Sequence, residues 1–329
     1  MDKKFWKNKK VLVTGFEGFL GSNLTGKLIS LGAAVWGLDI KVRRKETILT
    51  PNDYKRIKVI KGDVANSPLL KKIIRKNKIQ IVFHLAAEAL VGKGYDAPLK
   101  AFKSNIAGTW SVLEACRLAE NLEAIIVASS DKAYGAHKNL PYKENFSLNG
   151  CYPYDVSKSC TDLLTNTYFH TYGLPVSITR CGNIFGPGDF NFSRLVPDAV
   201  RCLIRNKTLK IRSDGTFVRD YVYVEDIVAG YMRIAELLKK KNLSGEAFNF
   251  SYEKPLSVVH LLEEIDKLHF SSQKLNRQIL NKARYEIKEQ YLSAAKARRV
   301  LGWKPEFTLR SGLKKTIAWF YHNKKLQPQ

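Results

Sequence analysis

The sequence predicts an α/β fold, a doubly wound parallel sheet followed by a smaller α/β C-terminal lobe. Three observations predict it. Through the first half, short branched apolar runs alternate with segments of helical period, the pattern of parallel strands joined by crossover helices. A glycine-rich turn follows the first run and opens a helix. After Gly182 the segments shorten, and turn signals such as Gly186-Pro187-Gly188 and Ser213-Asp214-Gly215 appear.

Taken in order, Val11-Leu12-Val13 is the first strand, and Leu20 to Leu31 is the helix behind it. Ala34 to Asp39 is the second strand and Ile57 to Ile60 the third. Ile81 to Leu85, Ala124 to Ala128 and Val176 to Arg180 supply three more. Long helices fit Leu99 to Leu118 and Asp155 to Thr171. The main boundary falls near residue 183, giving a first domain over 1–183 and a second lobe over 184–329. The lobes interleave, because Tyr223 to Leu238 reads as a helix returning to the first. Further helices fit Ser257 to Leu268 and Leu309 to Tyr321. No internal repeat is visible.

The 329 residues are 45% apolar, enough to bury a full α/β core with an appended lobe. No run approaches the roughly eighteen apolar residues of a membrane span. The opening Met1-Asp2-Lys3-Lys4-Phe5-Trp6 passes almost at once into a strand, which leaves no room for a signal peptide and makes the cytoplasm the expected location. Five scattered cysteines (Cys116, Cys151, Cys160, Cys181, Cys202) form no C-x-x-C pair, and most read as small buried hydrophobes rather than a disulfide or metal set. The net charge of +25 is spread in short runs such as Lys71-Lys72 and Lys239-Lys240-Lys241, without interleaved aromatics. That pattern is a solvated basic surface, so no nucleic-acid partner is expected. Its field would still draw in a doubly negative ligand.

Thr14-Gly15-Phe16-Glu17-Gly18-Phe19-Leu20-Gly21 joins the first strand to its helix. Glycines there allow a tight turn and close backbone approach to a pyrophosphate seated at the helix N-terminus, the Rossmann-type arrangement. Asp39 ends the second strand about twenty residues on, placed for the adenosine ribose hydroxyls. Its carboxylate would repel a ribose 2′-phosphate, which favours NAD over NADP, although Lys41, Arg43 and Arg44 close behind pull the other way. Asp63, with Val64 in Lys61-Gly62-Asp63-Val64, stands where the adenine amino group is expected, or serves as a strand-end turn residue.

Tyr154 and Lys158 put a phenol and an ammonium one helical turn apart on one face, where the ammonium can lower the phenol pKa. With Ser130 to hold a substrate hydroxyl, they suffice to oxidise an alcohol with a nicotinamide. Asp131-Lys132 adds a second acid/base pair beside them. Redox alone does not need that pair, whereas an elimination does. The alternative is that the two side chains merely pair in a loop.

These residues resemble the extended short-chain dehydrogenase/reductase family acting on nucleotide sugars. The resemblance covers nearly the whole chain: Gly15 to Gly21, His84-Leu85-Ala86-Ala87, Asn105 to Thr109, Tyr154 with Lys158, Arg219 to Asp226, and Leu301 to Pro305. It implies that Ala86, Ala87 and Asn105 also hold the cofactor. Within the family, Ser130-Asp131-Lys132 is similar to the triplet of the 4,6-dehydratases. Two further segments are similar to the CDP-glucose branch: Ala86 to Val91 with Tyr95 and Pro98, and Gly182 to Phe190 running into Arg194-Leu195-Val196-Pro197-Asp198. Glu88, where that branch usually has a glutamine, would lie close to the sugar, and the Arg219 segment follows the general family pattern.

The resemblance implies a hexose oxidised at C4 with Tyr154 as base and Lys158 on the nicotinamide ribose. Lys132 would take the C5 proton and Asp131 would protonate the departing 6-hydroxyl. Asn183, Arg194 (with Leu195) and Arg219 are the candidates for the diphosphate and nucleotide, arginine forks matching phosphate oxygens. Arg212 is a further candidate. His84, Trp303 and Pro305 read as structural. The helices over Asn105 to Leu118 and Asp155 to Tyr168 would build a four-helix homodimer interface. Two rivals stand beside this reading: an NAD-dependent nucleotide-sugar 4-epimerase, and a non-catalytic NAD- or RNA-binding regulator.

Overall fold

The computed structural model describes residues 2–89, 91–268, 274–283 and 286–323; Met1 and Leu90, both quoted above, lie outside them. Six strands appear where the apolar runs are. They are β1 (Lys10–Thr14), β2 (Ala34–Asp39), β3 (Ile57–Lys61), β4 (Ile81–His84), β5 (Ala124–Ala128) and β6 (Val176–Cys181). All pair in parallel, in the order β6-β5-β4-β1-β2-β3. The chain winds outward from β1 to β3 and then returns to the other side of β1 to lay down β4. The reversal leaves a crevice beyond the carboxyl ends of β1 and β4, where a doubly wound sheet binds its ligands.

A seventh strand, Ala247–Phe250, pairs in parallel with β6 and completes the sheet. At four residues it is too short to stand out in the sequence. It forms because Phe248 and Phe250 bury into the core that the Val224–Leu237 helix shares with β1 and β4. A separate apolar cluster, including Val196, Leu203, Leu261 and Phe320, forms the core of the smaller lobe.

One expected helix is broken. Instead of a continuous Leu99 to Leu118, the chain forms Pro98–Phe102, a π turn over Lys103–Ala107, and Gly108–Arg117. Helical period alone does not reveal the extra residue of a π turn, which is set by tertiary contacts. Here the Asn105 side chain is pulled onto the backbone of Glu88. The Pro153–Tyr172 helix runs as expected and starts two residues earlier, with Pro153 in its first turn and Gly173 closing it in the left-handed region. Among the described residues, no helix is long and apolar enough to cross a membrane.

Candidate active site

The turn after β1 is built for close approach. Gly15 has φ +71, and a Cβ there would stand 2.8 Å from the backbone of Ala86. A Cβ on Gly21 would lie 2.0 Å from the Gly15 carbonyl oxygen, so the helix can pack onto the turn only with glycine at that position. Gly18 caps the Phe19–Ser30 helix with no side-chain hydrogen bond. The first-turn amides therefore remain available to a ligand anion. Thr14 Oγ1 accepts from the Leu85 and Ala86 amides, both at 3.2 Å, and lies 2.9 Å from His84 Nδ1. Burial holds His84 down at about 3, so it is a neutral strut between the two loops.

Asp39 sits at the end of β2 with its carboxylate already engaged. It accepts from the Lys41 amide at 3.2 Å, the Glu17 amide at 3.3 Å and Arg44 Nη2 at 2.7 Å. Glu17 in turn accepts from the Arg43 and Arg44 amides at 2.5 and 2.8 Å, fixing the loop that delivers the arginine. Sequence reasoning missed Glu17, whose only signal is its place inside the glycine turn. Gly62, Asp63 and Val64 line the cleft beyond, and Asp63 Oδ1 caps the Ala65 amide at 2.9 Å.

The chemical groups gather where β5 ends. Ser130 leads into a 3₁₀ turn over Asp131–Tyr134; its hydroxyl donates to Asp131 Oδ1 at 2.9 Å and accepts from the Lys132 amide at 3.2 Å. Tyr154 and Lys158 project from the Pro153–Tyr172 helix, both buried, with Lys158 Nζ donating to the Ala128 carbonyl at 2.7 Å. Burial lowers Lys158 to about 8, partly offset by Asp162. Burial raises Tyr154 to about 12, against which the Ser130 hydroxyl is the main lowering contact. The expected depression of the phenol by Lys158 is not among the main influences on Tyr154, where loss of solvent dominates.

Asp131 and Lys132 do not form an ion pair. Among the described residues no carboxylate lies within ion-pair distance of the half-buried Lys132 amine, which opens onto the cleft. Burial first, and then the Arg219 guanidinium, push its pKa down. Burial pushes Asp131 up, with Lys132 opposing. Both shifts run toward the uncharged forms, the direction that suits a base and an acid for an elimination.

Arg219 holds its place through Nη1, which donates to the Val218 and Lys288 carbonyls at 2.8 and 2.9 Å. Its Nη2 lies 3.7 Å from Glu286, which also stands 3.9 Å from Arg212. Arg194 Nη1 bonds both oxygens of Asp189 at 3.2 and 3.1 Å, while Leu195 opens a helix and Asn183 a short strand on the same wall. Behind the Pro153–Tyr172 helix, Arg180 pairs with Asp162, which also accepts from Ser129, and reaches the Tyr134 hydroxyl at 2.7 Å.

A single cleft of about 1120 Å³ collects these groups, running from the Gly15 turn past Ser130, Lys132 and Tyr154 to Arg219. Two expected site residues lie off its wall. Asn105 is buried and spends its amide on the Glu88 backbone and on Ser157 Oγ at 2.9 Å; Glu88 is likewise not among the lining residues. In this structure Asn105 holds a loop rather than facing the cleft. Glu286 and Asp155 do line the cleft and were not foreseen; neither has a distinguishing signal in a single sequence.

The match that decides the lineage is broad: a family model described as GDP-mannose 4,6 dehydratase covers residues 12–316. The chain belongs to this family of the extended short-chain dehydrogenases/reductases. The family is enzymatic and comprises nucleotide-sugar 4,6-dehydratases and 4-epimerases. The chain is 29% identical to the CDP-glucose 4,6-dehydratase of Salmonella typhimurium, over 97% of this chain and 92% of that one. It is 31% identical to the UDP-glucuronate 4-epimerase of Thermodesulfobacterium geofontis, over 96% and 97%. It spans 49% of the length of a trifunctional relative from Arabidopsis thaliana that includes a UDP-glucose 4,6-dehydratase. Among solved structures, a dTDP-glucose 4,6-dehydratase from Bacillus anthracis, in complex with NAD, superposes with a TM-score of 0.84 at 25% identity, over 97% and 98% of the two chains. For a member of this family, the glycine turn and Asp39 form a cradle that fits a dinucleotide, since a Cβ at Gly15 or Gly21 would strike backbone.

Proposed function

We propose that the chain is an NAD-dependent nucleotide-sugar 4,6-dehydratase, with CDP-glucose as the first substrate to try. The observation that carries this reading is the Lys132 amine, unpaired and open to the cleft beside an Asp131 carboxyl that burial favours in its neutral form. When bound, NAD supplies the hydride acceptor for C4, the donor for C6 and, in its oxidised form, a cationic ring. Lys158, mostly charged near neutral pH, favours the Tyr154 phenolate that accepts the O4 proton. Once C4 is a ketone the C5 proton is acidic, and Lys132 removes it while Asp131 gives a proton to the departing 6-hydroxyl.

Each turnover leaves one proton extra on Tyr154 and one missing from Asp131. The Ser130 hydroxyl donates to Asp131 and also contacts Tyr154, so it supports a short route for resetting both. Arg194, Arg219 and Asn183 are assigned to the diphosphate and nucleotide, in a lobe formed mainly by residues 184–329. A cytoplasmic homodimer belongs to the same proposal: Trp110, Leu163 and Tyr172 are exposed large apolar residues on the helices expected at a dimer interface. Light scattering at the monomer mass would remove that part.

A second reading, a 4-epimerase, is favoured by the similarity to UDP-glucuronate 4-epimerase at 31% identity and needs only Ser130, Tyr154 and Lys158. Incubation with NAD and a panel of CDP-, GDP-, dTDP- and UDP-hexoses, followed by mass spectrometry and proton NMR, separates the two. Loss of one water from any sugar supports the dehydratase, and conversion at C4 without change of mass supports the epimerase.

A further inference from the structure

Asp155 follows the catalytic tyrosine in the chain, yet the reaction proposed above gives it no part. It lies in the first turn of the Pro153–Tyr172 helix, where the helix dipole favours a carboxylate. It is only 3% exposed and lines the same cleft as Lys132. Its Oδ1 has no hydrogen-bond partner among the described residues, an arrangement that buried carboxyls rarely tolerate without function. Two charged groups on the 3₁₀ turn packed against its helix act on it: Lys132 draws its pKa down and Asp131 pushes it up. Tyr154 on its own helix and Tyr142 on the neighbouring segment feel its charge. Lys132 is therefore pulled two ways: burial and then Arg219 drive its proton off, whereas Asp131, and after it Asp155 and Glu286, hold it on.

We propose that Asp155 is a positioning residue for the C5 base: its buried carboxylate faces the Lys132 amine and keeps that amine basic enough to take a carbon-bound proton despite Arg219. The inference rests on the dehydratase reading. In the step concerned, the C5–H bond breaks, its electron pair moves into the C4 ketone, and the proton forms an N–H bond on Lys132. Asp155 then faces the ammonium so formed. When hydride reaches C6, Lys132 returns a proton to C5 and the charge is cleared. Burial lifts Asp155 to about 6, with Lys132 drawing it back, so the carboxylate is present at neutral pH and disappears in mild acid.

Asp155→Asn keeps the shape and removes the charge. In the full chain with NAD and a nucleotide sugar that the wild type dehydrates, kcat for water loss should fall about tenfold, and its acid limb should move to lower pH. First-turnover C4 oxidation, read as NADH absorbance, should fall far less than water loss, and Asp155→Glu should recover most of the loss. A readout without turnover accompanies it: after reductive methylation with ¹³C-formaldehyde, the Lys132 resonance, assigned with Lys132→Arg, should titrate at lower pH in Asp155→Asn. Should that variant fail to fold, Asp155→Ser serves for the same titration. Superimposable pH profiles and Lys132 titrations would overturn the proposal. A wild type that releases water from no nucleotide sugar defeats the dehydratase reading instead, while the titration still reports on Asp155.

Discussion

Asp162 and Arg180 form a buried ion pair at 2.5 Å directly behind the helix that carries Tyr154 and Lys158. The same carboxylate accepts from Ser129 and raises the Lys158 pKa against burial. The pair thus ties β6, the end of β5 and the catalytic helix into one rigid unit. Removing one partner strands the other in a site without solvent. Asp162→Asn should cost about 3–5 kcal/mol of stability, read by urea denaturation. Arg180→Lys, which loses the planar fork, should also destabilise, by less.

On the proposed function, Lys132 is the residue that separates redox from elimination. Lys132→Met should reduce water loss by about 10²-fold or more while leaving reversible C4 oxidation measurable as NADH absorbance. Asp131→Asn should act on the same step, because an amide cannot protonate the 6-hydroxyl. Equal loss of oxidation and elimination in Lys132→Met would assign the lysine to binding instead.

The Gly21 position has no room for a side chain, since its Cβ would meet the Gly15 carbonyl. Gly21→Ala should lower NAD affinity at least tenfold in calorimetric titration and reduce the melting temperature. Gly26, on the same helix, has nothing within 4 Å of its would-be Cβ, so Gly26→Ala should leave binding intact and slightly stabilise the helix.

Cofactor choice turns on Asp39 and Arg44, joined at 2.7 Å. Asp39→Asn frees the guanidinium and removes the repelling carboxylate, so the NAD/NADP ratio of dissociation constants should shift toward NADP by about tenfold or more. Arg44→Ala should shift it the other way. Fluorescence titration with both reduced cofactors measures each ratio.

Asp155 also predicts a trade of stability for activity. Its folded pKa of about 6 lies above the ordinary 3.8, so in the native state it binds protons more tightly than in the unfolded chain. The stability this contributes is present below pH 4 and is lost as pH rises through about 6. At pH 7 Asp155→Asn should therefore be more stable than wild type by about 2 kcal/mol, and the gap should close near pH 4. Thermal melts across that range give the comparison.

Much of the fold was legible because local pattern and tertiary structure agree. Ala34–Asp39 and Ala124–Ala128 are continuous apolar runs buried on both faces, and their period and length admit little else. The Tyr154/Lys158 face was legible because helical spacing puts both side chains on one side, and the Ser130-Asp131-Lys132 turn because it resembles a family triplet. What was hidden depends on contacts between distant segments. The strand Ala247–Phe250 exists only through its pairing with β6, and the π turn at Asn105 exists because an amide 17 residues downstream closes on Glu88. Asp155 was hidden for another reason: an acid in a first helical turn looks like ordinary dipole compensation until its buried, unpartnered oxygen is seen.

The most direct test of the central claim follows one hydrogen atom. Wild-type protein, NAD and CDP-glucose in deuterated water should yield a 4-keto-6-deoxy sugar nucleotide that has lost one water and carries one solvent deuterium at C5. A product of unchanged mass, inverted at C4 and free of deuterium, would contradict the assignment of Lys132 and Asp131 to elimination.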